Sequence, residues 1–130
     1  MFWKWSSVLT NKGNVDMGDL DKKIHKIILE GGVEAEFAIV RELCFDPHYV
    51  VFEEKGRAFF LYVTRFTRFF LVEGREVFAL ELKEGDRIQG KDGQILVKKR
   101  EKLQNEVEVF KVLLKEDSAF FVDGVRVKKS

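Results

Sequence analysis

The chain has 130 residues, 45% of them hydrophobic, with 23 basic against 22 acidic side chains. That length and apolar content suit one domain over residues 1–130 with its own core, and the balanced charge removes the bulk electrostatic case for a nucleic-acid or membrane-surface partner. The single cysteine, Cys44, excludes an intramolecular disulfide framework and points to a reducing, cytoplasmic setting; no apolar run approaches the roughly 18 residues of a membrane span, and residues 1–5 lack a signal-peptide pattern.

Taken in order, residues 1–5 (MFWKW) are too apolar for a frayed terminus and predict a strand tied into the core. Residues 6–10 continue it to a turn at Asn11-Lys12-Gly13, and residues 15–20 end in Gly18-Asp19-Leu20. Residues 19–30 set Leu20, Ile24, Ile27 and Ile28 at helical spacing, with Asp19 to cap and Gly31-Gly32 to stop, which predicts one short helix. Residues 33–43 alternate Val33, Ala35, Phe37 and Ile39 against their neighbours, as a half-buried strand does. After a turn at Asp46-Pro47-His48, residues 49–53 and 57–64 flank Glu54-Lys55-Gly56 as a hairpin.

Residues 63–72 are a β-branched and aromatic run closing on Glu73-Gly74. Residues 77–88 end in a turn where Gly85 gives the tight bend and Asp86 can bond the backbone around it. Residues 94–103 and 107–114 predict long strands around Gln104-Asn105, whose outward charges suit an exposed hairpin. Residues 118–122, Asp123-Gly124 and residues 125–129 close the chain as strand, turn and strand. The fold class is therefore all-β, mostly antiparallel, with one short helix. The stretches VLTNKGNVDMGDL and FLVEGREVFALELKEGD both run strand, glycine turn, short apolar segment and Gly-Asp, an echo of an internal repeat.

Residues 63–88 resemble a segment of Hint domains, the fold of hedgehog and intein self-processing. In that family a T-x-x-H motif precedes a hydrophobic strand and then A-x-x-L-x-x-G-D. Here Ala79, Leu82, Gly85 and Asp86 carry the second motif, while Thr64 opens the first and Thr67 stands in the histidine's place. Residues 109–130 are similar to the family's last block: Phe120, Phe121, Gly124 and Val127 match its frame, and Ser130 matches its closing nucleophile position. Met1 stands at the first nucleophile, Ser118 at a later histidine, Lys128 at the penultimate histidine and Lys129 at the terminal asparagine. The resemblance implies a horseshoe of strands with a pseudo-two-fold duplication, like a mini-intein without a homing endonuclease, whose former partners are the flanking host-protein segments.

Self-processing starts when a thiol or hydroxyl at the first residue attacks the preceding carbonyl, with histidine helping the leaving amine. It ends when an asparagine carboxamide cyclises. A thioether has no proton to lose, a threonine hydroxyl does not titrate near neutrality, and lysine has no carboxamide. The expectation is a degenerate, inactive scaffold in which Met1, Thr64, Thr67, Ser118, Lys128, Lys129 and Ser130 are vestigial positions; Thr64, Ser130 and either Ser6 or Ser7 are the hydroxyls on which a residual acyl shift would depend. With Met1 as the start, no upstream peptide remains to be released.

The other constellations have plainer readings. Cys44, Asp46, His48 and His25 suggest metal ligands, but one Cys and two His fall short of the usual structural zinc set, so no metal or cofactor is expected. Arg57, Arg65 and Arg68 interleaved with Phe59, Phe60, Tyr62, Phe66, Phe69 and Phe70 resemble a nucleic-acid stacking platform, yet alternation equally gives a buried ring face and a solvated arginine face. The charged run Lys98-Lys99-Arg100-Glu101-Lys102 reads as a solvated hairpin surface. The alternative function is a monomeric, non-catalytic β binding module for a peptide or nucleic acid.

Overall fold

The structure, a computed structural model, describes residue 2 and residues 6–128. Its strands in chain order begin with β1 (Ser7–Thr10), β2 (Gly13–Asp16), β3 (Ile27–Ile28), β4 (Glu34–Ala35) and β5 (Ala38–Cys44). Then come β6 (His48–Glu54), β7 (Arg57–Val63), β8 (Arg68–Phe70), β9 (Glu76–Phe78) and β10 (Arg87–Gln89). The last are β11 (Gln94–Lys102), β12 (Val107–Leu113), β13 (Phe120–Val122) and β14 (Val125–Lys128). Two 3-10 turns, Met17–Asp19 and Ala79–Glu81, complete the regular structure. The fold is all-β, as the turn spacing predicts.

The repeat is real in three dimensions. β1 and β2 form a hairpin that leads into the first 3-10 turn; β8 and β9 form a hairpin that leads into the second. The chain then returns to the first strand of each hairpin at equivalent places, Thr10 pairing with Ile27 and Leu71 with Ile88. Each return strand next touches the closing hairpin, Leu29 at Phe120 and Gly90 at Val125. The closing hairpin β13–β14 lies between the two copies, with β1 against β13 and β8 against β14.

The second feature is a long bent ribbon. β5 pairs with β12 and β6 with β11, so residues 38–54 run antiparallel to residues 94–113. The bend falls at residues 45–47, where the Leu103 N–H still reaches the Pro47 carbonyl at 2.9 Å. β7 and β10 widen one arm into a four-stranded sheet. Part of the phenylalanine excess fills the core. Phe2, Phe52, Phe69 and Phe120 are fully buried, Phe2 meets Phe120 edge-on at 6.2 Å, and Phe52 lies 5.3 Å from Phe59 and 6.0 Å from Phe69. Rings of this size supply much of the burial that holds a small β domain.

Four expectations are corrected. Residues 19–30 do not form a helix: Asp19 lies inside the first 3-10 turn, one helical bond runs from the His25 N–H to the Asp21 carbonyl, and Ile27 and Ile28 join the sheet. A short helix has a costly nucleus, and a branched Ile-Ile pair fits a pleated strand better; Ile24 is left 58% exposed while Ile27 is buried. The strand over residues 33–43 is split at residues 36–37 into β4 and β5, with Ala35 and Phe37 inward as alternation requires but Val33 exposed. The run 63–72 breaks at residues 64–67. β11 and β12 do not pair with each other, because each is taken by a strand of the first half. Of the strand expected over residues 1–5, only Phe2 lies within the described residues.

Candidate functional site

The break at residues 64–67 is where the site is built. β7 ends at Val63 and β8 starts at Arg68, and the turn between them is closed by the Thr67 N–H donating to the Thr64 carbonyl at 3.1 Å. The two threonine hydroxyls are 3.1 Å apart, one donating to the other. Neighbouring backbone holds the turn from outside: the Ala79 N–H donates to the Thr67 carbonyl at 2.8 Å, and the Leu80 N–H to the Arg65 carbonyl at 3.1 Å. Thr67 is fully buried and Thr64 half-buried. A β-branched pair in a strand-like sequence thus becomes a turn through tertiary backbone bonds.

Both ends of the described chain come to this turn. Phe2 exchanges two backbone hydrogen bonds with Phe110, at 3.0 and 2.6 Å, and also bridges to Val63, the residue before Thr64. At the other end, Lys128 lies opposite Arg68, the residue after Thr67. The half-buried Ser118 follows Asp117, whose Oδ1 accepts from Arg68 at 3.0 Å. Thr64 and Thr67 are therefore in direct contact, Lys128 pairs with the residue that follows Thr67, and Ser118 follows a residue that Arg68 reaches. Met1, Lys129 and Ser130 lie outside the described residues.

The acidic and basic side chains at this place are mutually paired. Arg68 contacts Glu76 Oε2 at 3.4 Å as well as Asp117; Lys128 Nζ contacts Glu76 Oε1 at 2.8 Å and Asp117 Oδ2 at 3.9 Å. The hydrogen bond from Lys128 holds the Glu76 carboxyl below its usual range. Glu76 and Asp117 have no motif to mark them, and Lys128 and Arg68 reach them from 52 and 49 residues away respectively, so sequence reading misses them.

The histidines are committed elsewhere. His48 is buried on β6 opposite Val63, and its Nδ1 lies 3.0 Å from the Arg100 guanidinium, whose Nε donates to the Leu82 carbonyl. An arginine only donates, so that Nδ1 accepts and the proton sits on Nε2. Burial, then the Arg100 charge, lowers the His48 pKa. His25 accepts the Asp21 N–H on Nδ1 in the loop before β3. A shallow cleft beside Thr64 is lined by Leu43, Cys44, Phe45, Arg65 and Phe66, and by neither histidine. Burial, reinforced by Asp46, raises the Cys44 thiol pKa, the opposite of what a nucleophile needs. Among the described residues, no three of His, Cys, Asp and Glu are placed to hold a metal ion together.

Ser7 is not at the cleft. Its N–H and hydroxyl both donate to Asp123 Oδ1, at 3.0 and 2.8 Å, at the turn end of the closing hairpin. Burial pushes the Asp123 carboxyl up, against the lowering effect of those two bonds. Ser6 is buried, and its carbonyl accepts the Met17 N–H.

The Arg/Phe stretch divides by face. Leu61, Val63, Phe69 and Phe70 are buried, Phe60 packs with Tyr49 and Tyr62 on the outer side of the β6–β7 hairpin, and Phe66 meets Phe78 edge-on at 5.5 Å. The β11 charges are paired: Lys98 with Glu53, Lys99 with Glu101 and Lys102 with Asp46.

No protein-family profile matches the sequence, and no curated protein does. Solved structures do. The chain is similar to the MchDnaB-1 intein at 15% identity, with all of both chains covered and a TM-score of 0.76. It is similar to a bacterial intein-like domain from Clostridium thermocellum at 17% identity, covering 99% of this chain and 97% of that one, with a TM-score of 0.77. The gp41-1 intein matches at 17% identity over the same shares, with a TM-score of 0.74. The duplicated hairpins, the bent ribbon and the meeting of both ends at the Thr64–Thr67 turn are thus the architecture of the Hint fold, which this chain shares with inteins and intein-like domains.

Proposed function

We propose that residues 1–130 form a single intein-like domain whose self-processing chemistry has lapsed. The observation that carries this reading is the fully buried Thr67, at the meeting point of the two ends, with its hydroxyl bonded to Thr64. A histidine there supplies a proton donor near neutrality; two hydroxyls bonded to each other supply neither acid nor base. Lys128, where the family has a histidine, is engaged by Glu76 and Asp117, and a lysine side chain in such an ion pair is not placed to act as an imidazole would. Met1 and Lys129 complete the reading from sequence, since thioether and lysine lack the groups the first and last steps use, while Ser130 keeps a hydroxyl with no step left to deliver an acyl group to it.

The reading carries with it a cytoplasmic monomer without a cofactor, descended from a domain whose partners were flanking host segments. No helix among the described residues is long and apolar enough to cross a membrane. The test is a fusion with short peptides at both ends, incubated for a day at neutral pH and resolved on a gel. One band of fusion length is expected; an excised domain or a joined pair of flanks overturns the reading.

A further inference from the structure

We propose that Arg68, Glu76, Asp117 and Lys128 form a charged latch that holds the C-terminal end of β14 in the sheet, so that ionic strength sets how often this end opens. The side chains come from β8, β9, the segment before β13 and β14 itself. Each cation touches both carboxylates and each carboxylate both cations, which closes the contacts into an alternating ring. Isolated surface ion pairs contribute little, but a network with its members partly fixed is the case in which they count. Here the cations are the fixed members: the Lys128 and Arg68 side chains are only 18% and 23% exposed, and Lys128 Nζ lies 5.8 Å from the Phe70 ring. Glu76 and Asp117 remain open to solvent at 39% and 64%, which leaves the ring open to screening.

The backbone at this end needs such help. β14 joins β8 through only two pairs, Val127–Phe69 and Lys128–Arg68, and so short a ladder opens more easily than the longer ones of the ribbon. Asp117 belongs to the segment between β12 and β13, outside the strands, so the same ring also holds that segment. Opening the latch uncovers the edge of β8 next to the Thr64–Thr67 turn. It is a property of the fold and stands whether or not any acyl transfer survives.

Amide hydrogen exchange read by NMR tests this. The residues of the Val127–Phe69 and Lys128–Arg68 pairs are compared with those of the Val8–Val122 pair, on the far flank of the same hairpin. In the native chain, raising salt from about 0.05 to about 1 M is expected to speed exchange at the latch pairs several-fold relative to the reference pair. The Glu76→Gln, Asp117→Asn double variant, which keeps shape and removes charge, is expected to exchange about tenfold faster at low salt and to show no further salt response. Salt-independent exchange in the native chain overturns the proposal, as does a double variant whose reference pair speeds up as much as the latch pairs.

Discussion

The closing hairpin is gripped by two equivalent hairpins in two different ways. On the β1 strand itself the link is the carboxylate of Asp123, partly buried and served by two donors from Ser7. On the β8 flank it is the ring of Arg68, Glu76, Asp117 and Lys128, with its cations mostly covered and its carboxylates open to solvent. Backbone duplication therefore conserves pairing but leaves side-chain electrostatics free to diverge, and the two links respond to pH with opposite sign.

The strongest way to break this comparison is in the core beneath each link. Phe69 and Val8 occupy matching places against the closing hairpin, and both are fully buried. Phe69→Ala is expected to cost about 3–5 kcal/mol in urea unfolding, against roughly 2 kcal/mol for Val8→Ala; equal losses remove the claim that the β8 flank carries the heavier packing.

Next in size is Asp123. Asp123→Ala leaves the Ser7 donors without their acceptor and is expected to cost about 1–3 kcal/mol. Asp123→Asn keeps an acceptor and tolerates the positive φ of 49° at this turn, so it is expected to be nearly neutral at pH 7. Because the folded carboxyl is raised, its contribution is complete below the unfolded value of about 4 and is lost as pH climbs through the folded value. The native urea midpoint relative to Asp123→Asn should therefore fall as pH rises from 4; a rise contradicts the account of burial.

Glu76 runs the other way and more weakly. Its carboxyl is lowered, so its contribution is present above the unfolded value of about 4.3 and disappears as pH falls through the folded value. Glu76→Gln should destabilise by less than about 1 kcal/mol at pH 7 and low salt, with the deficit closing in acid and at about 1 M salt. A deficit that persists in acid means that Glu76 acts through packing instead of charge.

Turns and the repeat were legible because their signals are local. Gly85 has φ of 93°, the Asp86 N–H donates to the Lys83 carbonyl, and Asp86 Oδ2 accepts the Lys83 N–H, as the Gly-Asp pair predicts. Asp123-Gly124 likewise closes β13 onto β14, with both residues at positive φ. The ribbon was not legible: β12 after a short loop looks like the partner of β11, and nothing local says that β5 and β6 have claimed the two strands. The turn at Thr64–Thr67 was hidden for a similar reason, since its shape depends on the Ala79 and Leu80 amides rather than on Thr-Arg-Phe-Thr. At the site, the sequence points to Thr64, Thr67, Ser118 and Lys128, but what lies across from Lys128 is a matter of strand register.

The central claim is a fold that brings its ends together without the groups to join them, and the direct measurement is intact mass. The doubly flanked fusion is held at neutral pH with and without hydroxylamine, which cleaves any ester or thioester linking flank to domain. The account predicts one unchanged mass under both conditions. A hydroxylamine-dependent loss of the upstream flank shows that an acyl shift still occurs and contradicts it.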